Sequence, residues 1–139
     1  MHKNISSSQH DAVVCVIQAN PIVQKQLDVL LAYLDSPILS FKSSEQFLQL
    51  CAGINVGCIL LDGDQLGDDS HCLLDELSRM GLSRATIIMA QHANIDAAVK
   101  ALQSGIADYL EMPQPDRVLL AKICQVMGDF RSVDVGKKS

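Results

Sequence analysis

The carboxylate of Asp62 is the group in this sequence best placed to do chemistry. It closes the apolar run Cys58-Ile-Leu-Leu-Asp62. A carboxylate at the end of a buried parallel strand sits at the rim where any chemistry belongs. The plainer reading is a solvated aspartate after a strand. Asp64, Asp68 and Asp69 crowd the loop that follows. They read as a solvated acidic loop before they read as a weak cation site. His92 comes just after another apolar run, Ala85 to Met89. It could bind a ligand, but a loop histidine without a partner nearby is usually just exposed. The four histidines have no metal-ligand spacing, so no zinc site is expected. Five cysteines (Cys15, Cys51, Cys58, Cys72 and Cys124) make an odd number without a CxxC pair. Cys15, Cys58 and Cys124 lie inside apolar runs, where a thiol behaves as a small hydrophobe. A reduced, cytoplasmic protein is the simplest reading.

A second candidate crevice lies at the end of the run Val13-Val14-Cys15-Val16-Ile17. Gln18-Ala19-Asn20-Pro21 follows it. Pro21 suits the first turn of a helix, with Asn20 as its cap. This lip carries no charge and no glycine loop that could cradle a phosphate.

Apolar runs alternate with helical patterns five times, and these elements position the candidates. Strands are expected over Ala12 to Ile17, Ile38 to Phe41, Gly57 to Leu61, Ala85 to Met89 and Ala107 to Leu110. The first helix runs from Pro21 to about Leu34, with Ile22, Val23, Leu27, Leu30, Leu31 and Leu34 on one face. Ser43 caps the second, with Gln46 at capping-box spacing, and that helix ends near Ala52-Gly53. The third covers about His71 to Met80 and stops at Gly81. The fourth starts from Asn94 and ends at Gly105, a residue suited to a left-handed C′ position. Pro115 starts the last, which runs to about Met127. Short connections between alternating strands and helices give a parallel sheet with helices on both faces. The ends of strands one, three and four then converge on one rim, bringing together Gln18, Ala19, Asn20, Asp62 and Ala90.

The chain's 139 residues, 48% of them hydrophobic and 19% charged, suit one globular domain. That domain is expected over residues 12–128, between polar tails at 1–11 and 129–139. No apolar run approaches the roughly 20 residues of a membrane helix, and the N-terminus lacks the apolar stretch of a signal peptide. A formal net charge of −5 argues against direct nucleic-acid binding.

Three stretches carry a family likeness: Phe41-Lys-Ser-Ser-Glu-Gln-Phe-Leu48, Cys58-Ile-Leu-Leu-Asp62 and Ala98-Val-Lys-Ala-Leu-Gln-Ser-Gly-Ile-Ala-Asp-Tyr-Leu-Glu-Met-Pro113. Over about residues 12 to 128 the chain resembles a response-regulator receiver domain of two-component phosphorelay signalling. It is nearest to receivers that precede DNA-binding output domains. The last stretch follows the family's Ala-x-x-x-Gly-Ala-x-Asp-Tyr/Phe-x-x-Lys-Pro run. The resemblance implies a flavodoxin-like, doubly wound α/β fold, with a parallel five-stranded sheet of order 2-1-3-4-5.

It also implies roles, and departures from them. Asp62 matches the phosphoacceptor. The two acidic residues that hold Mg²⁺ in the family are here Gln18 and Ala19. The Thr or Ser that binds the phosphoryl oxygen is Ala90, and the charge-neutralising Lys is Met112. The Met-Pro after the phosphoacceptor becomes Gln65-Leu66, and the loop-closing Gly becomes Ser70. The switch aromatic is kept as Tyr109, and Met112-Pro113 matches the family's cis X-Pro bond.

A family site of three carboxylates and one lysine is net negative by two, whereas this rim keeps Asp62 alone. Clustered carboxylates repel one another, so losing both acids makes the loss of the lysine cheap. The departures read as one coordinated retreat from chemistry: phosphorylation and Mg²⁺ binding are expected to be very weak or absent, and no enzymatic activity is expected. The leading expectation is a regulatory dimerisation module. It would use the family's face of helix four, strand five and helix five: Ala97, Lys100, Ala101, Tyr109, Arg117 and Lys122. Its partners would be a second copy and an output domain, with no membrane. The alternatives are a working phosphoacceptor at Asp62 and a small-molecule sensor built on a vacated pocket near Gln18, Asp62 and Ala90.

Overall fold

All of β4 (Thr86–Ala90), the last four residues of β1 (Val13–Ile17) and the last five of β3 (Val56–Asp62) are buried. Strands covered on both faces need no polar alternation, which is why these read in the sequence as unbroken apolar runs. The computed structural model describes residues 12–63 and 70–128. The two tails and the loop residues Asp64, Gln65, Leu66, Asp68 and Asp69 lie outside the described residues. β2 (Ile38–Phe41) and β5 (Asp108–Glu111) complete a wholly parallel sheet of order β2-β1-β3-β4-β5. This is the doubly wound order expected from the resemblance.

Alternation along each strand separates two apolar layers, because successive side chains point to opposite faces. Five helices supply the outer walls: α1 (Pro21–Leu31), α2 (Ser44–Leu50), α3 (Ser70–Arg79), α4 (Ile95–Gln103) and α5 (Asp116–Val126). Cys15, Ile17, Ile59, Leu61 and Ile88 face one way, onto Phe47 of α2, Leu77 of α3 and Ala101 of α4. Val14, Val16, Leu60, Ile87 and Met89 face the other way, onto α1 and α5 through Leu30, Leu31, Leu119 and Ile123.

Local chemistry sets the element ends. Asn20 Oδ1 accepts the Ile22 and Val23 N–H groups at 2.9 and 3.4 Å. Ser43 Oγ accepts the Gln46 N–H at 3.1 Å. Gln46 Oε1 reaches back to the Lys42 N–H at 2.8 Å, one residue beyond the expected capping-box partner. Gly81 and Gly105 have φ of 74° and 92°, the left-handed stops expected of them.

Several expected boundaries move. α1 ends at Leu31, and Tyr33 and Leu34 continue in turns bonded back to Leu30 and Leu31. Ile22 is 69% exposed and does not share the buried face. α2 gives way to a 3-10 turn, Cys51–Gly53, and another, Ser83–Ala85, delays β4 by one residue. Pro115 is the N-cap of α5, with extended ψ, and not its first helical residue.

Candidate functional site

The rim forms where β1, β3 and β4 end side by side. Gln18 and Asp62 are 6% and 7% exposed, and Ala90 is buried at 4%. The register places Ile17 beside Leu61 and Asp62 beside Met89, so the sheet itself brings the three positions together. A Cβ on Gly63 would lie 3.3 Å from both the Ala90 Cα and the Met89 carbonyl oxygen. The backbone leaving Asp62 therefore runs close over Ala90, and glycine is what fits there.

Gln18 is held from both ends. Its N–H donates to the Phe41 carbonyl at 2.9 Å, and its Oε1 accepts the Asn20 N–H at 3.0 Å. The carboxamide oxygen is thus spent on its own turn. Ala19 and Asn20 are exposed. Among the described residues no group of three or more His, Cys, Asp or Glu side chains is placed to hold a metal ion.

Met112 is half-buried and packs with the α1/α5 layer that contains Met89 and Leu119. Its N–H donates to the Ala90 carbonyl at 2.8 Å, which ties the end of β5 to the end of β4. The Met112-Pro113 peptide bond is cis. Tyr109 is half-buried against the opposite layer, beside Ile88. His92 is exposed.

The face expected from the fourth helix, fifth strand and fifth helix needs one correction and one addition. Ala101 is fully buried in the core, because it lies on the inner side of α4, and it cannot meet a partner. Lys100 and Arg117 are exposed and Ala97 is half-buried. Lys122 Nζ sits 3.0 Å from Asp108 Oδ2, an ion pair linking α5 to β5. The addition is an apolar stripe on α4. Ile95, Val99 and Leu102 are 81%, 46% and 47% exposed, with Val118 of α5 also exposed. Their i, i+4, i+7 spacing is visible in the sequence, but periodicity alone marks an apolar stripe as buried.

Of Gln18, Asp62 and Ala90, Gln18 lines a groove of about 460 Å³ that opens between α1 and α5.

Burial affects two thiols that face no such opening. It pushes Cys58 up to about 12 and Cys15 up to about 11, since an ionised thiol inside the sheet loses its hydration.

The chain belongs to the response regulator receiver domain family, whose sequence model matches residues 14–124. It is 31% identical over 125 residues to the transcriptional regulatory protein FixJ of Azorhizobium caulinodans, covering 90% of this chain and 58% of that protein. It is 29% identical over 101 residues to the DNA-binding transcriptional regulator NtrC of Escherichia coli, covering 73% of this chain and 22% of that one. The chain spans about half the length of the FixJ and nodulation protein W relatives it matches. Among solved structures, a response regulator receiver protein from Pseudoalteromonas atlantica superimposes with a TM-score of 0.74 at 25% identity, over 84% of this chain and 98% of that one. Full-length FixJ from B. japonicum does so with a TM-score of 0.74 at 27% identity, over 84% of this chain and 57% of that one.

Proposed function

We propose that this receiver domain transmits regulation without taking up a phosphoryl group, as a self-associating module that controls a DNA-binding transcriptional output domain. The observation that carries this reading is the neutrality of the rim around buried Asp62. Phosphoryl transfer to a carboxylate is almost wholly positioning and charge compensation. The positions that would compensate charge hold Gln18, Ala19, Ala90 and Met112.

The residues at this rim do not fit Mg²⁺, which needs several hard oxygen ligands. Ala19 has none to give, and Gln18 has turned its oxygen onto the Asn20 N–H. No lysine stands at position 112 to meet an incoming phosphoryl oxygen. Signalling then runs through contacts of the domain surface. The α4–β5–α5 face supports self-association, with Ile95, Val99 and Leu102 as its apolar centre and Lys100 and Arg117 beside them. The names of the relatives, a transcriptional regulatory protein and a DNA-binding regulator, support a transcriptional output.

The test is the intact mass of the chain after incubation with Mg²⁺ and acetyl phosphate, beside an Asp62→Ala control. An unchanged mass is the expected result. A phosphoryl adduct that the control lacks would overturn this reading and make Asp62 a working acceptor.

A further inference from the structure

The groove between α1 and α5 goes beyond the receiver reading and stands apart from it. Its floor is apolar: Leu27, Leu30, Met89, Met112 and Leu119 line it, and all but Met112 are buried. Its polar groups are mostly carboxamides, contributed by Gln18, Gln26, Gln91 and Gln114. Asp116 is the one charged residue of the lining, and it is exposed. At about 460 Å³ the groove falls within the usual range of small-molecule sites, which combine an apolar body with a few placed polar groups.

Two of these carboxamides are half-committed in complementary ways. Gln18 Oε1 accepts from the Asn20 N–H, and no hydrogen bond from its Nε2 forms among the described residues. Gln18 as a whole is 6% exposed, and its Nε2 keeps enough access to solvent to donate to a bound acceptor. Gln114 is the converse: its Nε2 donates to the Glu111 carbonyl at 2.8 Å, which leaves its carbonyl oxygen to accept. The lining thus offers both a donor and an acceptor.

Gln18 and Met112 are also two of the positions where the chain departs from the receiver pattern. An acid at 18 and a lysine at 112 would put opposite charges on the groove wall. The residues present carry no charge at either position. No Lys, Arg or His lines it, so an anion gains no counter-charge.

We propose that this groove is a binding site for an uncharged small molecule with an apolar body and adjacent donor and acceptor groups, of the amide, lactam or cyclic-imide class. Binding there bridges α1 to the loop between β5 and α5. It therefore acts on the same rim that holds Asp62.

The test is a ¹⁵N amide-shift titration of the whole 139-residue chain, carried to millimolar concentrations. The neutral probes are 2-pyrrolidone and uracil, and the charged one is benzoate. The expected result is saturable shifts at Gln18, Leu30, Met112 and Gln114 with the neutral probes. Benzoate binds about tenfold more weakly or not at all, because the lining offers it no cation and carries the Asp116 carboxylate. Gln18→Glu, which charges the wall, and Val23→Trp, which fills the mouth, both remove the shifts. Absence of saturable shifts with both neutral probes, shifts mapping away from the groove, or equal binding of benzoate would each overturn the proposal. If a variant spectrum shows a misfolded chain, the wild-type map and the ranking of probes decide. The acetyl phosphate experiment is read by mass and is independent of all these outcomes.

Discussion

At the scale of single residues, the proposed loss of phosphorylation rests on Gln18, Ala19, Ala90 and Met112, which are expected to act as a set. Met112→Lys alone supplies a cation but no metal ligands, so it is expected to leave the chain unlabelled by acetyl phosphate. The combined variant Gln18→Asp, Ala19→Asp, Ala90→Thr, Met112→Lys restores carboxylates, hydroxyl and ammonium around Asp62. It is expected to gain a single Mg²⁺-dependent phosphoryl adduct, read by intact mass. A second residue-scale prediction concerns Cys58. Its thiol is held neutral in the fold up to about 12, while the unfolded chain ionises from about 9.0. The folded value is the raised one, so this contribution to stability is complete below 9.0 and fades as pH rises towards 12. Urea midpoints measured at about pH 8 and about pH 10 should fall, and less steeply in Cys58→Ala. Cys15, raised to about 11, sustains the remaining slope.

Element by element, stability rests on caps and on a few core anchors. Ser43 caps α2 through the Gln46 N–H. Ser43→Ala is expected to cost about 1 kcal/mol by urea denaturation. Phe47 of the same helix is fully buried and meets Phe41 of β2 edge-on, with ring centroids 5.3 Å apart at 84°. Phe47→Ala removes both the burial and the aromatic pair. It should lower stability by about 3–5 kcal/mol, a large share of what a domain of this size has. If the loss were under about 1 kcal/mol, the core around α2 would have collapsed to fill the cavity.

For the molecule as a whole, self-association is the quantity to measure. Val99 lies at the middle of the exposed α4 stripe and is 46% exposed. Val99→Glu should therefore leave the fold intact and shift a concentration-dependent dimer towards monomer in sedimentation equilibrium. An unchanged distribution would place the interface elsewhere. The fold was largely legible in advance because both of its signals are local. Unbroken apolar runs mark buried parallel strands, and Asn20, Ser43, Asn94, Gly81 and Gly105 punctuate the helices. The rim was legible too, since in a parallel sheet the ends of β1, β3 and β4 must meet. The helix ends were less so: α1 stops at Leu31 although apolar spacing continues to Leu34, because a turn bonded to Leu30 and Leu31 competes successfully for those residues.

The sequence by itself determined the order of elements, the placing of Asp62 at the end of a buried strand, and the absence of charge at positions 18, 19, 90 and 112. Those properties follow from residue type and short-range periodicity. Only the tertiary structure decided which way the side chains turn. It put Ala101 wholly inside and left Ile95, Val99 and Leu102 outside, because the inner and outer sides of α4 depend on its rotation against the sheet. It laid the backbone of Gly63 over Ala90, and it opened a groove between α1 and α5. Open space is what remains when helices of fixed width pack on a twisted sheet, so it belongs to the assembled layers and to no stretch of the chain.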